Sequence, residues 1–277
     1  MSEANVASRH DSPLREALKL IDPEKYYFDL RFGPPEGAYE TVGSLTRDGG
    51  EGVARRMEQA RTKWGLGARD SALFALGTYA WGVGGPAIAL YVLSRRVPDI
   101  SPENLALRFG EGGNFSEVAL LRGGFAALPA DPAADHPEAV VLRDEAEMLD
   151  WMRGRLVTGV GPLIEAVRRH ARLSRGAAWR GLADYVAEAF LMTGWDTGDQ
   201  ARYAADAETF VGAPGSPFKS NTGFFVVEDR GRRGAYTTRG VCCQAYKESE
   251  HDNCDSCPML TQEERERRAL ADLAARG

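Results

Sequence analysis

The sequence predicts an α+β protein, rich in helix, with antiparallel strands and a cysteine segment at its C-terminal end. Three observations carry that prediction. Long stretches place apolar residues at three- and four-residue spacing. Two strand–turn–strand patterns interrupt them. All four cysteines fall between positions 242 and 257 of a 277-residue chain.

Residues 12–22 open with Ser12 or Asp11 as helix cap and set Leu14, Ala17, Leu18 and Ile21 on one face. Gly33, Pro34, Pro35 and Gly37 then mark a loop. Helical spacing resumes over residues 50–64 through Val53, Met57 and Trp64. The most apolar run, residues 71–93, contains Gly77, Gly82, Gly84, Gly85 and Pro86 and predicts two buried helices or one kinked helix. Residues 104–109 and 115–121 predict a hairpin around a Gly-rich turn. Phe125 to Leu128 adds a third strand or ends that hairpin. Residues 129–138, rich in Pro, Ala and Asp, predict a surface connection. That connection divides the chain into an N-terminal α+β region, 1–138, and a helical region ending in the cysteines, 139–277, unless both form one continuous domain.

A helical block covers residues 143–212. Leu149, Met152, Leu156, Val160, Leu163, Ile164 and Val167 make one apolar face, which Gly159 and Gly161-Pro162 are expected to break. Trp179, Leu182, Val186 and Phe190 form the next stripe, and residues 199–210 a third. Residues 211–222 predict a loop. Two strands, 224–227 and 235–238, flank a charged turn from Glu228 to Gly234. Thr261 and Glu264 have capping-box spacing for a closing helix over 261–276.

Composition narrows the function. Apolar content of 43% and charged content of 27% are ordinary for a globular chain. A net charge of −6 argues against nucleic-acid binding, which depends on Lys and Arg neutralising phosphates. No uninterrupted apolar run reaches the roughly 20 residues of a membrane span. The polar start lacks the apolar core of a signal peptide, so a cytoplasmic protein with reduced thiols is expected. Gly82-Val-Gly84-Gly85-Pro86-Ala87 matches a dinucleotide-binding pattern only superficially, since no strand precedes it.

The cysteines run Cys242-Cys243, ten residues, Cys254-Asp-Ser-Cys257-Pro258. Four thiolates suit a structural zinc ion or a 2Fe–2S cluster. A Cys-x-x-Cys turn brings two sulfurs to one metal. On an extended chain, neighbours such as Cys242 and Cys243 point to opposite faces, which suits a wider two-iron cluster better than one small ion. A loop can reorient either side chain, so zinc stays open. His251 lies in the spacer and could replace one cysteine, or be a solvated loop residue.

The pattern Cys-Cys, ten residues, Cys-x-x-Cys-Pro, preceded by Arg239, resembles the hallmark of the FhuF-like ferric siderophore reductases. Gly161-Pro162-Leu163-Ile164, Leu173-Ser174 and Ala178-Trp179-Arg180-Gly181 look like the upstream helical segment of that family. The resemblance covers residues 145–260. It implies a 2Fe–2S cluster on Cys242, Cys243, Cys254 and Cys257, and one-electron reduction of a ferric siderophore of hydroxamate type. It also implies an external electron donor, such as a ferredoxin, flavodoxin or small reductase. Candidate siderophore contacts are Arg239, Arg232, Arg233 and Trp179, with core packing the competing role for Trp179. Arg239 ranks first of these, because a cation so close to the ligands would stabilise thiolate charge. One departure is visible. After Cys243 many members continue with an apolar and basic run, whereas here Glu248, Glu250, Asp252 and Asp255 face a single Lys247. That charge would lower a cluster's potential, unless it is simply a solvated acidic loop. A zinc-stapled domain without redox activity and an iron–sulfur protein with another acceptor are the alternatives.

Overall fold

The structure, a computed structural model, describes residues 12–242 and 253–276. Helices α1 (Pro13–Leu18), α2 (Val42–Thr46) and α3 (Glu51–Trp64) lead into a long apolar helix. That helix comprises α4 (Ala68–Tyr79), a π-helical turn (Ala80–Gly84) and α5 (Gly85–Ser94). Then come α6 (Glu145–His170), α7 (Arg175–Gly194), α8 (Gln200–Gly212) and α9 (Gln262–Ala275). The α+β class is as expected.

Among the described residues, eight short strands form three small sheets: β1 (Leu30–Phe32), β2 (Val97–Pro98), β3 (Leu105–Phe109), β4 (Phe115–Leu120), β5 (Phe125–Ala127), β6 (Ala139–Val141), β7 (Gly223–Asp229) and β8 (Arg232–Thr238). The predicted hairpin is β3–β4, and β1 adds parallel to β4. β1 was hidden in a segment that reads as loop, because three residues are too few to show alternation. β5 leaves the hairpin and joins β2 and β6. Strands β7 and β8 pair through Asp229 and Arg232, so the turn is only Arg230-Gly231. Both turn residues have positive φ, 49° and 78°, which gives a tight turn matching the strand twist. The expected seven-residue turn is therefore two residues long.

The long apolar helix has the length and mean hydropathy (1.3) of a membrane span, yet 67% of that window is buried inside the protein. The glycines do not cut it in two: the helix continues through a π turn at Ala80–Gly84. Helix α6 likewise runs unbroken through Pro162. An interior proline costs about 3 kcal/mol, which the buried face Leu156, Val160, Leu163, Ile164 and Val167 offsets by packing. Gly159 serves contact instead of breakage: a Cβ there would lie 2.1 Å from the Tyr79 hydroxyl. One apolar core extends from Leu14 to Phe218, and a satellite of Val227, Ala269 and Leu273 joins the β7–β8 hairpin to α9.

Arg96 holds Asp131 through two hydrogen bonds of 2.7 and 2.8 Å and donates to the Pro13 carbonyl, tying α1 to the connection before β6. The guanidinium lowers the Asp131 pKa below the ordinary Asp value. Because the folded pKa is depressed, this pair stabilises the fold above the ordinary Asp pKa. The contribution fades as pH falls through the lower, folded value. Asp131→Asn should therefore lower stability at neutral pH, and the loss relative to wild type should shrink toward pH 3, as read from urea midpoints across pH.

Gly159→Ala should be destabilising. Overpacking of a tight contact costs about 1–3 kcal/mol, more than the roughly 1 kcal/mol that alanine gains over glycine in a helix. Among the described residues the Tyr79 hydroxyl has no hydrogen-bond partner, so Tyr79→Phe removes the clashing atom at little expense. The double variant should recover most of the lost stability in a thermal-melt cycle; additive losses would contradict this account.

Candidate functional site

The cysteine arms stand at one end of the β7–β8 hairpin. Strand β8 ends at Thr238, and residues 239–242 continue toward the first arm. The N–H of Arg239 donates to the Ser256 carbonyl at 2.9 Å, so the arm ending in Cys242 is tied to the turn that holds Cys254 and Cys257. Within that turn the Cys257 N–H donates to the Cys254 carbonyl at 2.9 Å. Cys242 and Cys254 are half-buried and Cys257 is buried. Cys242 Sγ lies 3.8 Å from Met259 Sδ, and Cys257 Sγ lies 3.7 Å from Asn253 Oδ1. Cys243 and His251 lie outside the described residues. Among the described residues, no three His, Cys, Asp or Glu side chains converge as a metal-binding group.

A buried carboxylate fixes the first arm. Asp184, on the inner face of α7, accepts the Gly240 N–H at 2.7 Å and the Val241 N–H at 3.1 Å. It also accepts the Thr222 hydroxyl at 2.6 Å, and the Arg239 guanidinium lies 3.7 Å away. Burial pushes the Asp184 carboxyl above the usual range, against the opposing pull of these donors. Gly240 is required by close approach, because a Cβ would meet Ser220 Oγ at 2.5 Å and the Thr222 amide nitrogen at 2.9 Å. One turn further along α7, Glu188 accepts the Thr237 hydroxyl at 2.9 Å. It opens into a cavity of about 290 Å³, yet the surrounding protein withdraws it from bulk water and raises its pKa.

Helix α9 fixes the second arm. Thr261 caps it, as its spacing from Glu264 predicts. Arg265 donates to the Cys257 carbonyl at 3.2 Å, and Arg268 donates to the Asn253 carbonyl at 2.7 Å. Arg268 also meets the Asp255 carboxylate at 3.2 Å. The acidic character expected of this loop is thus offset at Asp255, while Glu248, Glu250 and Asp252 lie outside the described residues.

The other candidate contacts separate. Arg239 stacks over the Tyr185 ring at 4.9 Å beside the cysteine arm. Arg232 caps α9 by donating to the Leu273 carbonyl. Arg233 is exposed beside Glu228. Trp179 is 8% exposed and packs edge-on against Phe218 at 5.1 Å, a core position. Asp184, Thr222 and Gly240 are absent from the sequence-based set. The sequence carries no signal for them: Asp184, two residues from both Leu182 and Val186, falls on the opposite side of α7 from the apolar stripe and reads as an ordinary solvated acid.

The family of ferric iron reductase FhuF-like transporters matches residues 76–222, just over half of the chain. The chain belongs to this family. The matched region runs from the end of α4 to Thr222 and includes Asp184, but stops before the cysteines. No curated protein matches the chain significantly.

Replacing Asp184 by Ala would leave two half-buried amides without their acceptor, at up to about 1–3 kcal/mol each. Hydrogen exchange at Gly240 and Val241 in Asp184→Ala should therefore accelerate by tenfold or more, about 1.4 kcal/mol or above. Unchanged protection there would show that the arm is held by other contacts.

Proposed function

We propose that this FhuF-like protein reduces ferric siderophores by one electron, and that Cys242, Cys243, Cys254 and Cys257 hold a 2Fe–2S cluster for that purpose. The observation that carries the reading is the joining of the two cysteine arms through Arg239 and Ser256, with each arm separately braced by α7 and α9. Such bracing suits a cofactor whose ligands must hold still. The donor set also suits iron and sulfide, since thiolates are the usual ligands of these clusters. When bound, the cluster would supply the electron that converts Fe(III) to Fe(II). An external one-electron donor, such as a reduced ferredoxin or a small reductase, would restore it.

The substrate's chemistry makes one electron sufficient. Hard oxygen donors hold Fe(III) tightly and Fe(II) loosely, as ligand hardness dictates. After reduction the siderophore's oxygens take protons from solvent and the Fe(II) leaves. The protein's residues have two tasks here. Arg265 and Arg268 hold the carbonyls of Cys257 and Asn253, which fixes the second arm, while Arg239 lies beside the first. Asp184 and the Thr261-capped helix keep the two arms in register. Reaction and metal release belong in the cytoplasm on this reading, where thiols persist in reduced form.

Protein produced without oxygen should contain iron and acid-labile sulfide, appear red-brown, and bleach with dithionite. Cys257→Ser should bring bound iron to background and abolish reduction of a ferric trihydroxamate. A colourless wild-type protein containing zinc would overturn the redox reading in favour of a stapled domain.

A further inference from the structure

A second cavity, of about 420 Å³, lies on the far side of Tyr185 from the cysteine arm. Its walls include Tyr27, Phe28, Phe115 and Trp81. Three glycines of the apolar helix make these walls possible. A Cβ at Gly77 would meet the Tyr185 ring at 2.7 Å, one at Gly82 would meet Phe115 at 2.5 Å, and one at Gly85 would meet Phe28 at 2.8 Å. The π turn at Ala80–Gly84 puts Trp81 and Gly82 on the cavity, and such turns are frequent at functional sites. The Trp81 indole donates to the Tyr27 carbonyl at 3.2 Å. Tyr27 itself is 78% exposed, in a left-handed conformation with φ 57°. A large aromatic left this open at a cavity rim has no packing role.

Tyr185 and Gly77 belong to both this cavity and a small one, about 20 Å³, that is also lined by Arg239, Val241 and Cys242. One aromatic ring therefore separates the larger cavity from the first cysteine arm. The Tyr185 ring meets Trp81 edge-on at 6.3 Å on one side and the Arg239 guanidinium at 4.9 Å on the other.

The lining charge selects an occupant. Among the described residues no Lys or Arg lines the larger cavity, and its carboxylates, Asp29 and Glu117, are already paired, with Arg31 at 2.8 Å and Arg108 at 3.3 Å. The cavity is thus nearly neutral, apolar and aromatic. It offers nothing to a ferric tris-catecholate, whose six phenolate oxygens leave a large negative charge. A ferric trihydroxamate is neutral, because three hydroxamate anions cancel Fe(III), and its organic shell suits aromatic walls.

We infer that the Tyr27–Trp81–Phe115 cavity docks an uncharged ferric trihydroxamate, with Tyr185 as the wall between it and the Cys242 arm. This inference rests on the reductase reading proposed above. Ser116, an exposed residue of β4 on the cavity wall, gives a blocking variant that removes no core contact.

The test uses the gallium(III) trihydroxamate, which cannot be reduced, as binding probe, alongside reduction of the ferric complex by cluster-loaded protein. Wild type should bind the gallium complex, and a gallium tris-catecholate should not compete. Ser116→Trp should weaken binding about tenfold and raise KM in parallel, with the visible spectrum and kcat retained. Tyr27→Ala, at the exposed rim, should weaken binding by a smaller factor and serves should Ser116→Trp fail to fold. Active protein whose gallium affinity and KM ignore both variants would overturn the pocket and leave the reductase reading standing. Equal competition by the catecholate would overturn the choice of ligand. Loaded wild type that reduces no ferric siderophore would sink both.

Discussion

The cysteine end of this protein depends on one buried carboxylate. Asp184 lies on the side of α7 away from the stripe of Trp179, Leu182, Val186 and Phe190, yet it is only 3% exposed. Placing a charge there costs several kcal/mol unless it is compensated. The compensation comes from Thr222, the amides of Gly240 and Val241, and Arg239. All four lie in the loop before β7 or the segment after β8. The carboxylate can therefore be satisfied only when both ends of the hairpin have come together over α7. A site built this way is specified by its desolvation penalty, since any other placement of residues 239–241 leaves the charge unanswered.

The hairpin distributes the same logic outward. Gln200 of α8 uses its amide to pair both ways with Ala235, accepting at 2.6 Å and donating at 2.9 Å, and so finishes the open edge of β8. The Tyr236 hydroxyl donates to Asp272 on α9 at 2.9 Å, while Ala269 and Leu273 pack on Val227. Three helices thus hold one two-stranded ribbon that would be marginal alone. α9 then turns its arginines to the carbonyls around Cys254 and Cys257, so the element that buries the hairpin also positions the second cysteine arm.

Much of this was legible in the sequence, and the misses share a cause. Long periodic segments gave their helices, and Thr261 announced the cap of α9, because those signals are local. β1 and β6 were not legible: each is three residues long and exists by parallel pairing with a distant strand. Pro162 and Gly159 looked like breakers because local propensity argues for breakage, yet the buried face of α6 outweighs it and Gly159 is needed for Tyr79. The cysteines stood out by count and spacing. Asp184 did not, since an acidic residue opposite an apolar stripe reads as a solvated face and its partners lie 38 to 57 positions away. Trp179 sits on the apolar stripe and so reads as core ahead of a ligand contact, and it packs on Phe218 accordingly.

The apolar helix shows how one sequence feature can mislead and inform together. Its hydropathy alone describes a membrane segment, and its glycines alone describe a loop. Packed in the core, the same glycines are places where aromatic rings from other elements come close to the backbone. Tyr185 reaches Gly77 from α7, Phe115 reaches Gly82 from β4, and Phe28 reaches Gly85 from the segment before β1. On α7 the neighbours Asp184 and Tyr185 point about 100° apart. The first therefore grips the backbone before Cys242, while the second closes the aromatic cavity against Gly77. A shift of α7 along or about its axis would disturb both contacts at once. The cavity and the cysteine arm are thus fixed relative to each other by two adjacent side chains on one rigid helix, as a cavity serving that arm would require.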